Sequence, residues 1–441
     1  MNALLGLSLV SGPLVIGVYA VAGLSLLLLT TAFARAHRHG RRRRLVLAAA
    51  ALVTGTLAGA ALAALLDGTD GPFGVDFTPV TRVWVGLGLG GLLLVAVVLL
   101  HALGTRRLRR AVAALGVGVL VIATAAMTVN IDFGQYPTVR SALGISPYPT
   151  ISDPIAVPSG DHPSLAEWTA PAGMPSVGAV STVSIPGTTS TFAARDAVVY
   201  LPPAALVDDP PLLPVMVMLS GQPGSPSDPL STENLQKSLD DYAAAHAGLA
   251  PIVVSPDQLG DPSANPMCVD SPLGNSATYL TVDVPNWIRS HLPVESDASD
   301  WAIGGLSQGG TCAIQLGAGY PQLFGNIIVA SGELAPTLGD DATTVEEGFG
   351  GSAAAYEAAK PASILAENAP YADSFALFGV GADDTSFVAG VKTLYADAKA
   401  AGIDATYMEV PDSAHDKTAW SAVFDRGLEL LTARWNLVPA S

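Results

Sequence analysis

Four apolar runs, Leu9–Ala34, Leu45–Leu66, Val83–Leu103 and Ala111–Val129, occupy most of the first 130 residues of this 441-residue chain. Each is close to the ~20 residues that an α-helix needs to cross the hydrocarbon core of a bilayer. Backbone in lipid must satisfy its hydrogen bonds within the segment, so such runs predict four transmembrane helices. The connector after the first run carries Arg35, Arg38 and Arg41 to Arg44, and the connector after the third carries Arg106, Arg107, Arg109 and Arg110. Both are expected on the cytoplasmic side. The connector between the second and third runs holds Asp67, Asp70 and Asp76, with Arg82 only at its edge, and belongs outside. Alternation then places the N-terminus and everything after Asn130 outside the cytoplasm.

Charge divides the chain at the same place. Residues 1–130 hold 11 Lys/Arg and 3 Asp/Glu, whereas residues 131–441 hold 10 and 35. So acidic a C-terminal part argues against nucleic acid as a partner, because phosphate binding needs a basic footprint. The first run has its basic cluster after it rather than before, the reverse of a cleavable signal peptide, and is expected to be retained. No charged residue sits in the middle of any run, which favours an anchor over a transporter. Gly86, Gly88 and Gly91 match G-x-G-x-x-G in form, but no strand precedes them. Close helix packing through small residues is expected there, not a dinucleotide site.

Residues 131–176 are rich in Pro, Ser and Gly, including the stretch Pro154 to Pro163, and read as an extended extracytoplasmic tether. From residue 177 to 441 the pattern changes to short β-rich runs: Val177–Ile185, Ala197–Leu201, Val215–Leu219, Ile252–Ser255, Trp301–Ile303, Ile327–Ala330, Phe375–Val380 and Thr406–Val410. Amphipathic stretches lie between many of them, among them Glu233–Ala247, Thr278–Ser290, Gly309–Tyr320, Phe387–Ala401 and Trp420–Trp435. Strands alternating with helices after an initial meander specify an α/β domain with a mostly parallel sheet.

The run Trp301–Ile303 leads into Gly305-Leu306-Ser307-Gln308-Gly309 and then into a helix of small residues. That is G-x-S-x-G in its strand–turn–helix context, where glycines clear space for a sharp turn that pushes the serine hydroxyl out at the top of the sheet. Ser307 is the expected nucleophile. A serine hydroxyl needs a base, and in this arrangement the order along the chain is Ser, acid, His. Among the seven histidines only His415 follows Ser307, and it lies in a loop just after the run Thr406–Val410. The acid should follow the strand between them, where Gly381-Ala382-Asp383-Asp384 offers two adjacent candidates. Asp384 is favoured, with Asp383 as the alternative. The oxyanion needs two donors: the N–H of Gln308, and the N–H of Gln222 in the loop Ser220-Gly221-Gln222-Pro223-Gly224. The only cysteines, Cys268 and Cys312, form either one disulfide or two separate buried thiols. Neither a metal site nor a cofactor is implied.

These residues resemble the esterase D-like branch of the α/β-hydrolases, which includes S-formylglutathione hydrolases and secreted mycolyltransferases. The resemblance spans roughly residues 177–437. It rests on Val199-Tyr200-Leu201-Pro202-Pro203, Leu219-Ser220-Gly221, Gly305 to Gly310 with Tyr320-Pro321 and Phe324, the Gly381-to-Asp384 turn, and His415-Asp416 with Trp420. It implies an α/β-hydrolase fold with Ser307, Asp384 and His415 as a triad and Gln222 and Gln308 as oxyanion donors. Ser220 departs from the His or Asp common before that glycine. The four apolar runs make the chain similar to four-span esterase-like proteins of actinobacterial type, with Phe133 to Thr138 as their juxtamembrane segment. The expected activity is that of a serine esterase or acyltransferase acting on cell-envelope lipid or acyl esters. Its partners would be the bilayer, an acyl-ester substrate and a glycolipid or envelope hydroxyl acceptor, and the ~35-residue segment Leu334 to Pro370 would cap the site. The competing expectation is a catalytically silent hydrolase fold that serves as an envelope-binding or scaffolding surface.

Overall fold

The structure, a computed structural model, describes residues 2–35, 40–66, 68, 77–151, 162–165 and 168–437. The connector residues Arg38, Asp67, Asp70 and Asp76, and residues 154–161 of the Pro-rich stretch, lie outside the described residues. The chain divides into two compact units, Met1–Ile145 and Ser146–Ser441.

The first unit is helical. Its long helices are α1 (Pro13–Ala34), α2 (Arg41–Leu65), α3 (Pro79–Gly104) and α4 (Leu108–Phe133), all long and apolar enough to cross a membrane. The shortest has 22 residues and the longest 26, or about 33–39 Å at 1.5 Å per residue, against a hydrocarbon core of about 30 Å. Proline at the first turn starts α1 and α3, and the Thr78 hydroxyl accepts the Thr81 N–H to cap α3. Small residues decide how α2 meets α3. A β-carbon on Gly59 would lie 2.8 Å from the Val85 carbonyl oxygen, and one on Gly90 would lie 2.7 Å from that of Leu52. The two backbones are therefore in contact, and Gly86 serves helix packing as its surroundings predicted. At one end of the unit Asp132 accepts hydrogen bonds from the Thr78 and Thr81 hydroxyls. There the chain also pairs Ser8 with Thr138.

The second unit is an eight-stranded sheet: β1 (Ala179–Val183), β2 (Ala197–Leu201), β3 (Val215–Leu219), β4 (Ile252–Ser255), β5 (Trp301–Leu306), β6 (Asn326–Ala330), β7 (Phe375–Gly381) and β8 (Asp404–Val410). Its spatial order is β1-β2-β4-β3-β5-β6-β7-β8. Only β2 runs against its neighbours, and β4 through β8 are parallel. This is the α/β-hydrolase fold, as expected. Strands β3, β5 and β6 are buried along their whole length, which is why they read as unbroken apolar runs instead of alternating ones. The helices α5 (Leu235–Ala245), α6 (Val284–His291), α7 (Gln308–Gly319), α8 (Val388–Ala400) and α9 (Lys417–Arg434) accompany the strands.

The division between the units falls inside the segment expected to be a tether. Residues 131–145 belong to the helical unit. On the other side the Ile151 N–H donates to the Thr182 carbonyl, the Thr182 N–H donates to the Pro149 carbonyl, and the Tyr148 hydroxyl donates to Gln236.

Candidate active site

Parallel strands deliver their following loops to one edge of the sheet, and the predicted triad and oxyanion residues come from such loops or, for Gln308, from the helix start that follows one. At the end of β5 the chain turns so sharply into α7 that Ser307 has φ 52° and ψ −121°. That region is strained for a residue with a β-carbon, at a cost of about 1–3 kcal/mol, and strain of this kind concentrates at functional sites. The turn closes only because its neighbours lack side chains. A β-carbon on Gly305 would lie 2.3 Å from the Gly309 carbonyl oxygen, and one on Gly309 would lie 2.2 Å from that of Ser220. The Ser307 N–H is held by Ala330 of β6 at 2.8 Å. The hydroxyl is left to point outward.

His415 is brought to it by the loop after β8. A β-carbon on Gly381 would strike the Ala414 and Ser413 carbonyl oxygens at 2.2 and 2.5 Å, so this loop lies directly on the end of β7. Asp416 fixes the loop: its carboxylate accepts the Ala414 N–H at 2.8 Å and caps α9 through the Thr418 and Ala419 N–H groups. The ring of His415 packs on Phe387, with centroids 4.1 Å apart, and against the edge of Trp420. Its Nε2 lies 2.9 Å from Ser307 Oγ and its Nδ1 lies 2.9 Å from Asp384 Oδ2. A carboxylate can only accept, so Nδ1 carries the proton and Nε2 is left as acceptor for the serine O–H. Asp384 is 2% exposed and His415 6%, which shields this pair from water. Asp383 is exposed, its backbone N–H donates to the Ser413 carbonyl, and the hydrogen bonds of the imidazole go to Asp384 and Ser307 instead. The structure thus brings together Ser307, His415 and Asp384, and leaves the alternative acid at the surface.

Gln308 is the first residue of α7, so its N–H has no intrahelical acceptor and sits at the positive end of the helix dipole. The loop after β3 faces the same point: a β-carbon on Gly221 would lie 3.6 Å from Ser307 Cβ, and Gln222 follows it. That loop is held firmly. Arg195 forms a two-pronged ion pair with the fully buried Asp257, at 3.0 and 2.7 Å, and donates to the Gly224 carbonyl. Beneath the loop a buried amide chain runs from the Ser220 carbonyl through Gln258 to the Gln308 side chain and on to Asn265. Cys268 and Cys312 are joined in a disulfide, which ties α7 to the loop carrying Asn265.

Several residues in contact with this site carried no signal in the sequence. Gln258, Asn265 and Thr311 are lone polar residues in unremarkable surroundings, and only the fold shows that they meet. Glu333, just past β6, exchanges two hydrogen bonds with Thr311: its N–H donates to the hydroxyl and its carboxylate accepts from it. Burial pushes the Glu333 carboxyl above the usual carboxylate range, opposed by charge on His415 and by the Thr311 bond. The segment from Leu334 to Pro370 folds into short helices, including Ala353–Ala359 and Pro361–Asn368. Its first turn is pinned by Asn265, which donates to the Thr337 carbonyl.

A family model described as "Putative esterase" matches residues 189–431. An uncharacterized protein of Corynebacterium glutamicum is 35% identical over 330 residues, covering 72% of this chain and 75% of that protein. Among solved structures, an S-formylglutathione hydrolase from Agrobacterium tumefaciens is similar with a TM-score of 0.49 and 21% identity, over 58% of this chain and 95% of that one. The fluorophosphonate-binding serine hydrolase F of Staphylococcus aureus is similar with a TM-score of 0.46 and 16% identity, over 58% and 98%.

Proposed function

The chain belongs to the family described as "Putative esterase", and on that premise we propose that it is a membrane-anchored serine esterase or acyltransferase working through Ser307, His415 and Asp384. The observation that carries this reading is the 2.9 Å contact of Ser307 Oγ with His415 Nε2, with the other ring nitrogen on a buried carboxylate. In the reaction Ser307 Oγ attacks the ester carbonyl while Nε2 takes its proton. Asp384 holds the imidazole in the required tautomer and stabilises the imidazolium that forms. The N–H groups of Gln308 and Gln222 receive the oxyanion, where preorganised donors supply much of the rate enhancement. Collapse expels the alcohol, which leaves with the proton from His415 and an ester on Ser307. Water or an envelope hydroxyl then repeats the attack, with His415 as base once more.

The α1–α4 bundle is the anchor, with the connectors rich in arginine on the cytoplasmic side and the sheet unit outside. The disulfide supports that placement, because such bonds persist in oxidising compartments. Residues 131–176 link the two parts. An ester in the envelope, with a sugar or glycerol hydroxyl as acceptor, is the substrate class that suits this location.

Labelling of the purified full-length protein by a fluorophosphonate probe tests the reading. Wild type should label, and Ser307→Ala should not. A folded wild-type protein that resists the probe would favour a silent scaffold.

A further inference from the structure

Ester chemistry makes no use of the arginines at one end of the helical unit. There α1, α3 and α4 enclose a groove of about 550 Å³, within the range of small-molecule sites. Leu28, Leu29, Val117 and Leu120 line its length, while Arg109 and Arg110 line one end. Along α4 the lining extends from Arg109 to Leu120, a rise of roughly 16 Å. That is about half of a ~30 Å hydrocarbon core. The groove is therefore one leaflet deep, apolar along its length and cationic at its mouth.

The mouth is built for an anion. Arg110 Nη1 is buried without a hydrogen-bond partner. Among the described residues no carboxylate pairs with Arg109 or Arg110. Helix α4 begins at the same point with no acidic residue in its first turn and no side-chain cap on Arg107. The Arg107 carbonyl takes the N–H groups of Arg110 and Ala111, and those of Leu108 and Arg109 precede any intrahelical acceptor. Guanidinium groups, open N–H groups and the positive helix end all favour a phosphate oxygen. With Arg106 and Arg107 adjacent and no acid in this connector, a headgroup of net negative charge is preferred over a zwitterion.

We infer that this groove binds one anionic phospholipid of the cytoplasmic leaflet, with its phosphate on Arg109 and Arg110 and an acyl chain along the apolar wall. The inference rests on the membrane-spanning part of the reading above and is independent of the catalytic part.

The full-length protein in mixed micelles with equal phosphatidylglycerol and phosphatidylcholine of identical acyl chains, measured by native mass spectrometry, supplies the test. Wild type should retain one phosphatidylglycerol per chain with at least a tenfold preference, and Arg109→Gln/Arg110→Gln should reduce that preference below twofold. Gly116 lines the groove, and a β-carbon there meets nothing within 4 Å. Gly116→Leu should therefore fill the groove without disturbing helix packing and lower retention of either lipid about tenfold. Equal retention of the two lipids by wild type, or an unchanged preference in the double variant, would overturn the inference. Recovery of the chain from the soluble fraction would overturn the membrane reading with it, whereas fluorophosphonate labelling reports on Ser307 alone.

Discussion

The helical unit and the sheet unit both depend on glycines that leave no space for a β-carbon, and they use that closeness for different ends. Between α2 and α3, Gly59 and Gly90 let two backbones touch, and the gain is generic packing among apolar neighbours. At the turn after β5, Gly305 and Gly309 let a strained serine stand at the sheet's edge in register with an imidazole and a carboxylate. Packing in the bundle tolerates a shift of a few tenths of an ångström. A proton transfer between atoms 2.9 Å apart does not. Changes at the turn after β5 should therefore act on rate, and changes at the contact of α2 with α3 on stability and not on rate.

The largest expected effect sharpens this contrast within one turn of chain. Asp384→Asn should lower kcat by about 10⁴, as loss of a triad acid does when the tautomer is no longer fixed. Asp383→Asn, one residue away and exposed, should change kcat less than about twofold; steady-state hydrolysis of a p-nitrophenyl ester measures both. Next comes the disulfide. The bond spans a sequence separation of 44, so chain entropy gives it a stabilisation of about 4 kcal/mol. Cys268→Ala/Cys312→Ala should lower the Tm of the sheet unit by an amount consistent with that loss, and a calorimetric scan would show it.

A smaller effect depends on pH. Glu233 is 3% exposed with one buried oxygen unpartnered, and burial pushes its carboxyl up to about 8. The folded state therefore keeps a proton that the unfolded state releases near pH 4.5. Stability contributed by this group is complete below that pH and falls as pH rises toward 8, by up to about 1.4 kcal/mol per pH unit. Glu233→Gln should flatten that slope in urea melts taken across pH 5–8. Smallest of all is the expected effect of Gly59→Val on turnover: it should loosen the bundle and leave kcat within about twofold. A collapse of kcat in that variant would break the contrast between the units.

Much of the sheet unit is legible because its strands from β2 to β7 are buried along their whole length and bounded by turn residues. β2, β3 and β4 match the apolar runs read from the sequence residue for residue. β5 was read as ending at Ile303 but continues to Leu306, since Gly304 and Gly305 carry no β-propensity and are strand only by pairing with β3 and β6. The stretch Thr278–Ser290 is amphipathic and helical by its sequence pattern. It contains a wider π turn at Tyr279–Asp283, where the Asp283 carboxylate is taken up by Thr188, Thr189 and Ser190 from a distant loop. Tertiary contacts of that kind leave no local periodicity. The same applies to the site: Ser307 and His415 announce themselves through a motif and by chain order, whereas Gln258, Asn265 and Glu333 acquire meaning only once the fold has gathered them.

The central claim is that a hydroxyl at Ser307, relieved of its proton by His415, becomes covalently acylated. Intact-protein and peptide mass spectrometry after rapid quenching with a p-nitrophenyl ester tests this directly. An adduct of one acyl group on the peptide containing Ser307, absent in His415→Ala, is the predicted result. Ester turnover with no adduct on that peptide, or with the acyl group on another residue, would contradict it.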